Sequence, residues 1–358
     1  MFLQNCPPVN ENLWRGRRVF LTGHTGFKGS WLSLWLSQWG ALVHGYALDP
    51  ITTPSLFESL ELKLAADRRA DLSDLTALRE AVRMADPEVV FHLAAQPLVR
   101  ESYADPVGTF ATNVLGTAHL LESLRGLSSL KAVVVVTTDK VYHNEEWPHP
   151  YRESDRLGGH DPYSASKAAA EIVTASYRAS FLQEQGVRVA SARAGNVIGG
   201  GDWSADRLVP DCLRAFAEGR PVELRFPRAV RPWQHVLEPL SGYLLLAEKL
   251  LGEEGLECGW NFGPKGDEGH AEVGQVAERL GQLWGEGARV ELSQAGNHPK
   301  EAGLLRLDIS QAQSRLGWQP RWSLPQALAA TVSWQKGFLA GRPARELCLE
   351  QVEQFALG

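Results

Sequence analysis

Through the first half of the chain, short apolar runs of strand length alternate with stretches in which apolar residues recur at helical spacing. Val19-Phe20-Leu21-Thr22 reads as a buried strand, and residues 27–39 follow as a helix. Residues 41–47 and 89–93 are further strand candidates, and 63–70 is a weaker one. Residues 73–84 carry a helical pattern that Asp86-Pro87 closes. Asp105-Pro106 joins an N-cap to a proline at the first helical position, opening a helix to about Arg125. Residues 131–137, with four consecutive valines, form the most strand-like segment. A helix over 164–185 and a strand over 187–193 come next. Strands alternating with helices of this length predict an α/β fold with a doubly wound parallel sheet covered on both faces.

Beyond Gly195 the pattern changes. Glycines cluster at Gly199-Gly200-Gly201, prolines become frequent and the regular alternation is lost. Residues 1–195 are therefore expected to form one domain and 196–358 mainly a smaller α/β domain at the carboxyl edge of the sheet. Residues 233–262 are expected to return to the first. Trp31, Trp35 and Trp39, at i, i+4 and i+8, make a helix stripe suited to packing on the sheet.

Composition narrows the function classes. Thirty-six basic against 42 acidic side chains leave a net charge of −6, with no basic surplus for nucleic-acid phosphates. No apolar run approaches the ~20 residues of a membrane helix, and residues 1–12 lack the pattern of a secretory signal. Cys6, Cys212, Cys258 and Cys348 show no metal-ligand spacing. No metal site is expected, and a cytoplasmic setting is.

Two constellations carry chemistry. In Thr22-Gly23-His24-Thr25-Gly26-Phe27-Lys28-Gly29 the glycines stand at G-x-x-G-x-x-G. With 34 glycines in 358 residues, such spacing arises by chance roughly once per thousand windows, so the context has to decide. The loop follows a strand and opens a helix, where a backbone can approach a pyrophosphate: a Rossmann-type site. Asp49, after the second strand, can bond an adenosine ribose and favours NAD over NADP. His24 is bulky for such a loop, and either touches cofactor phosphates or faces solvent. The second constellation is Tyr163 and Lys167, which share a helix face at i, i+4, where the cation can lower the phenol's pKa. Thr137-Thr138-Asp139-Lys140 ends the valine strand, where side chains face the ligand crevice. Thr138 can bond a substrate hydroxyl, and Asp139 with Lys140 forms an acid/base pair.

Together, T-G-x-x-G-x-x-G and Tyr-x-x-x-Lys resemble the extended short-chain dehydrogenase/reductases over nearly the whole chain. Threonine followed by an acid/base pair and Val141-Tyr142 resembles their nucleotide-sugar 4,6-dehydratases. The closer likeness rests on residues 22–32, 92–100, 194–203 and 231–236. It implies NAD as cofactor, a nucleotide-sugar substrate, and a homodimer through the helices opened by Pro106 and Ser164. Tyr163 is implied to take the C4 hydroxyl proton and Asp139 to protonate the departing C6 hydroxyl. Thymidine-linked members carry glutamate where this chain has Lys140, which resembles the cytidine-linked branch. Lys140 then serves as the C5 base or only steadies the enolate. The cofactor residues implied are Gly23, Thr25, Gly26, Phe27, Gly29, Asp49, Asp71, Leu72, Ala94, Ala95, Thr137, Tyr163 and Lys167. Gln96, Asn196, Arg207 and Arg231 are implied for the substrate, the arginines because their planar forks match phosphate oxygens.

Overall fold

The computed structural model describes residues 9–267, 269–292 and 302–357. Twelve strands occur among them: β1 Arg18–Thr22, β2 Leu42–Ala47, β3 Ala66–Arg69, β4 Val89–His92, β5 Ala132–Val136 and β6 Arg188–Ala194, then β7 Asn196–Ile198, β8 Pro221–Leu224, β9 Val230–His235, β10 Gly259–Phe262, β11 His270–Glu272 and β12 Arg289–Leu292. Seven form a parallel sheet in the order β10-β6-β5-β4-β1-β2-β3. The order reverses between β1 and β4, which opens a crevice at the carboxyl ends of the strands.

The valine run shows why this sheet is apolar on both sides. Successive strand residues point to opposite faces, so Val134 and Val136 enter one core while Val133 and Val135 enter another. The first core takes Trp31 and Trp35 from the helix Phe27–Gln38, with Leu240 and Leu244 from the helix Leu237–Gly252. Trp39 packs at its edge. The second takes Leu78 and Val82 from Leu75–Ala85, and Leu120 and Leu121 from Gly116–Ser123. Each core excludes water from one face of the sheet, and this burial is the main stabilising term of the fold.

Two helices carry aspartate caps, the first of them read from the sequence. Asp105 accepts the Gly108 N–H at 2.9 Å and Asp161 accepts the Ser164 N–H at 2.9 Å, each before a proline at the first helical position. The helix after β4 is interrupted by a π turn over Ala111–Leu115. The one after β5 begins at Pro162, two residues before the expected start, because its cap is Asp161.

After β6 the chain leaves the sheet, forms β7 to β9, and returns through Leu237–Gly252 to β10, which pairs with β6. Joined by β11 and β12 from beyond β10, the excursion builds a three-stranded sheet, β11-β9-β7, and a two-stranded one, β12-β8. Helices Leu208–Ala217 and Val273–Trp284 cover them around Leu213, Phe216, Val276 and Leu280. The last two helices, Leu324–Leu339 and Ala344–Leu357, bring Trp334 and Phe355 back to the core of Trp31 and Trp35. Among the described residues no helix is long and apolar enough to cross a membrane.

Candidate active site

The turn after β1 is built by glycines with different duties. Gly23 has φ +75°, and a Cβ added there would stand 2.6 Å from the Ala94 nitrogen. At Gly29 a Cβ would stand 2.0 Å from the Gly23 carbonyl oxygen. These two let the loop, the helix and the chain after β4 come into contact. Gly26 instead lies exposed at the N-cap of Phe27–Gln38, and no side chain caps that helix. Its first N–H groups have no intrahelical partner, so they present donors and partial positive charge outward.

A cavity of about 270 Å³ opens over this loop. Gly23, Thr25, Gly26, Phe27 and Gly29 form its floor, with Asp49 and with Asp71 and Leu72 beyond the ends of β2 and β3. Ala94 and Ala95, Thr137, Tyr163 and Lys167 close the other end. Open donors over a helix N-terminus fit a diphosphate, and the length of the cavity from β3 to β5 fits a dinucleotide. Asp49 sits on the rim, its side chain 85% exposed and paired with Arg69 at 3.1 Å. His24 meets neither expectation, neither touching this cavity nor facing solvent. It is buried under the loop with Nε2 2.7 Å from Asp67 Oδ1 and its ring edge-on to Phe57. Burial holds its pKa below the ordinary value despite Asp67.

A second cavity, also about 270 Å³, meets the first and shares Phe27, Lys28, Thr137, Tyr163, Asp202 and Arg207 with it. Its walls carry Thr138, Asp139 and Lys140 after β5, and Asn196 and Arg231 from the excursion. Of the five expected catalytic side chains, Tyr163 lines both cavities, Lys167 the first, and Thr138, Asp139 and Lys140 the second. Gln96 lines neither cavity: its side chain bonds Leu98 in its own loop and Thr109 on the helix Pro106–Phe110. Its amide braces the turn after β4.

The electrostatics of the junction follow from burial. Asp139 is 2% exposed; its Oδ1 accepts the Thr138 hydroxyl at 3.0 Å, and its Oδ2 is buried without a partner. Desolvation raises its pKa against the pull of Lys140, so the acid form is favoured. Burial pushes Tyr163 up to about 12, opposed by a hydrogen bond with Thr138 and by Arg207. Lys167 donates to the Val136 carbonyl at 3.2 Å. Burial, then the Lys28 ammonium, lower it to about 7. Lys28 falls to about 8, chiefly by burial and then through Arg207.

Sequence reasoning missed several groups here. Glu171, four residues beyond Lys167 on the same face, bonds Thr137, Ser191 and Arg193, the last at 2.9 Å with both side chains 5% exposed. Its spacing from Tyr163 and Lys167 was the available signal. Lys28 lies inside the glycine motif at a position the motif leaves open. Asp202 pairs with Arg207 at 3.1 Å, and Asp206 bonds both Arg100 and Arg225 at the second cavity; nothing local announced these contacts.

A parallel sheet with a glycine loop, a buried Tyr–Lys helix face and an Asp–Lys pair defines a dinucleotide-dependent short-chain dehydrogenase/reductase of the extended type. The profile of the GDP-mannose 4,6 dehydratase family matches residues 20–331, and the chain belongs to that family. It is 51% identical to the CDP-glucose 4,6-dehydratase of Salmonella typhimurium, over 93% of this chain and 94% of that one. It is 30% identical to the dTDP-glucose 4,6-dehydratase of Streptomyces griseus, over 88% and 93% respectively. Among solved structures, MoeE5 in complex with UDP-glucose and NAD superposes with a TM-score of 0.75 at 26% identity, covering 90% of this chain and 99% of that one.

Proposed function

We propose that this chain is an NAD-dependent CDP-glucose 4,6-dehydratase, a hydro-lyase that converts CDP-glucose to CDP-4-keto-6-deoxyglucose and water. The observation that carries the reading is the meeting of two cavities at Tyr163, with the buried, partnerless Asp139 Oδ2 facing the outer one. The 51% identity to a CDP-glucose 4,6-dehydratase supports the substrate.

The loop residues Gly23, Thr25, Gly26, Phe27 and Gly29 hold the cofactor diphosphate, and Asp49, Asp71 and Leu72 its adenosine. Ala94, Ala95, Thr137 and Lys167 border the rest. When bound, NAD would supply reversible hydride transfer, from C4 first and back to C6 last, and be unchanged over the cycle. Tyr163 takes the C4 hydroxyl proton, and Arg207 opposes the burial that holds the phenol's pKa up. Thr138 steadies the C4 oxygen. The ketone acidifies C5–H, and Lys140 serves that position as base or as a cation over the enolate. Asp139, whose pKa burial raises, donates its proton to the C6 hydroxyl as it leaves as water. Asn196, Arg207 and Arg231 hold the substrate diphosphate.

A 4-epimerase needs the Tyr–Lys pair but no acid for C6, so the buried Asp139 favours dehydration. The chain acts as a cytoplasmic homodimer in this reading. Val107, Leu115 and Ile172 are 78%, 57% and 62% exposed on the helices after β4 and β5, an apolar face suited to a second copy. The deciding experiment offers a panel of nucleotide-glucoses and assays a 4-keto product, with CDP-glucose deuterated at C4. Deuterium at C6 of a 4-keto-6-deoxy product supports the assignment. CDP-galactose without C6 label identifies an epimerase, and no product identifies a non-catalytic scaffold.

A further inference from the structure

We infer that Glu171 is a positioning residue for the proton transfer at Tyr163: its carboxylate ties the helix Pro162–Tyr177 to the end of β5 and stands as the counter-charge of the Lys167 ammonium. The inference rests on the dehydratase reading above and deepens it. Glu171 lines neither cavity, so it acts on the reaction through other groups.

Four hydrogen bonds build the anchor. Glu171 Oε1 accepts the Thr137 hydroxyl at 2.6 Å and Arg193 Nε at 2.9 Å, while Oε2 accepts the Ser191 hydroxyl at 2.5 Å and Arg193 Nη2 at 3.0 Å. Burial alone would raise the pKa of this group, but Arg193, Ser191 and Thr137 hold it below the ordinary value, so it stays a carboxylate. One residue earlier on β5, the Val136 carbonyl accepts Lys167 Nζ at 3.2 Å. Lys167 and Glu171, one helical turn apart, thus grip consecutive residues of the strand end. The next two residues are Thr138, hydrogen-bonded to Tyr163, and Asp139. This grip sets where the phenol stands against both.

The charge has its own use. Lys28 faces Lys167 from the helix Phe27–Gln38, and His92 faces it from β4, brought down to about 3 by burial and then by Lys167, and therefore neutral. Tyr163, pushed up to about 12 by burial, and Glu171 flank Lys167 on its own helix. Burial and then Lys28 drive the Lys167 proton off, and Glu171 opposes them. Among the described residues Glu171 is the one acid that acts on this lysine. A cation one turn from a phenol favours the phenolate. Glu171 therefore sustains, through Lys167, the ionisation that Tyr163 needs at C4.

The test compares wild type with Glu171→Gln, Glu171→Asp and Ser191→Ala. Glutamine keeps groups that can accept from Thr137 and Ser191 but carries no charge, and aspartate keeps the charge. Ser191→Ala removes one bond to the carboxylate and leaves its charge in place. Protein labelled with carbon-13 at lysine Cε is titrated by NMR, the Lys167 signal being assigned by its loss in Lys167→Arg. The Lys167 midpoint should fall by about one pH unit in Glu171→Gln and stay within about 0.3 unit of wild type in the other two. The alkaline limb of kcat with CDP-glucose should move down with it, leaving activity above both midpoints about tenfold lower and KM within about twofold of wild type. Where Glu171→Gln does not fold, Glu171→Gln/Arg193→Met strands no guanidinium and should show the same shift. A Lys167 midpoint unmoved in the uncharged variant overturns the inference. A midpoint that moves while the kcat limb stays also overturns it, as does an equal shift in Ser191→Ala, the mark of a merely structural role. Wild-type protein that forms no 4-keto product from CDP-glucose overturns the dehydratase reading and this inference with it, a result separate from the others.

Discussion

Asp139→Asn separates activity from stability more cleanly than any other change at this site. Asparagine keeps the shape of the side chain and its bond from Thr138 but has no acidic proton to give. If Asp139 protonates the departing C6 hydroxyl, turnover should fall by roughly 10²–10⁴-fold, the usual worth of a general acid. That is a barrier increase of about 2.7–5.5 kcal/mol. Oxidation at C4 does not need this proton, so reduced nicotinamide should accumulate on the variant and be visible by its near-ultraviolet absorbance. Stability should move the other way. A carboxylate buried with one oxygen unpartnered carries a desolvation cost of about 1–3 kcal/mol. Because the folded-state pKa is raised, folding favours the acid form, and stability is lost as the pH rises through that pKa. The variant lacks this loss. Its melting temperature should match wild type near the ordinary carboxyl value of 3.8 and exceed it increasingly toward neutral pH. Calorimetry from acid to neutral pH, with a 4-keto product assay on the same preparations, checks both halves. Turnover within a few-fold of wild type, or a melting temperature below wild type at neutral pH, refutes the reasoning.

Three further outcomes are expected. Tyr163→Phe should abolish turnover and leave NAD affinity by titration within a few-fold of wild type, since only the phenolic oxygen is removed. Glu171→Gln should lower stability by about 3–5 kcal/mol in denaturant titration, because it strands the buried Arg193 guanidinium. Burial alone would raise the Glu171 pKa, but Arg193 holds it down, so the pair's contribution should fade as acid is added and persist above the ordinary carboxylate range. Ile172→Glu, on the exposed face of Pro162–Tyr177, should shift sedimentation from dimer to monomer while leaving far-ultraviolet circular dichroism unchanged.

Much of this protein was local enough to read from its residues. The valine run could only be a strand covered on both faces. Asp105-Pro106 opened a helix, and Tyr163 and Lys167 had to share a face because a helix repeats every 3.6 residues. The glycine loop, too, declared its turn, since Gly23 and Gly29 sit where a Cβ has no room. These features depend on backbone period and sterics within one segment. Other features depend on segments far apart in the chain, and only folding decided them. The Gln96 amide finds its partners in Leu98 and in Thr109, 13 residues on. His24 reads as a group of the loop's surface until Asp67, from β3, is seen to hold it beneath the loop. Lys28 is an unremarked letter within the motif until the sheet brings Asp139 and Lys167 around it. A buried charge takes its character from whichever charges and dipoles the fold assembles near it, and that assembly is written in no single stretch of sequence.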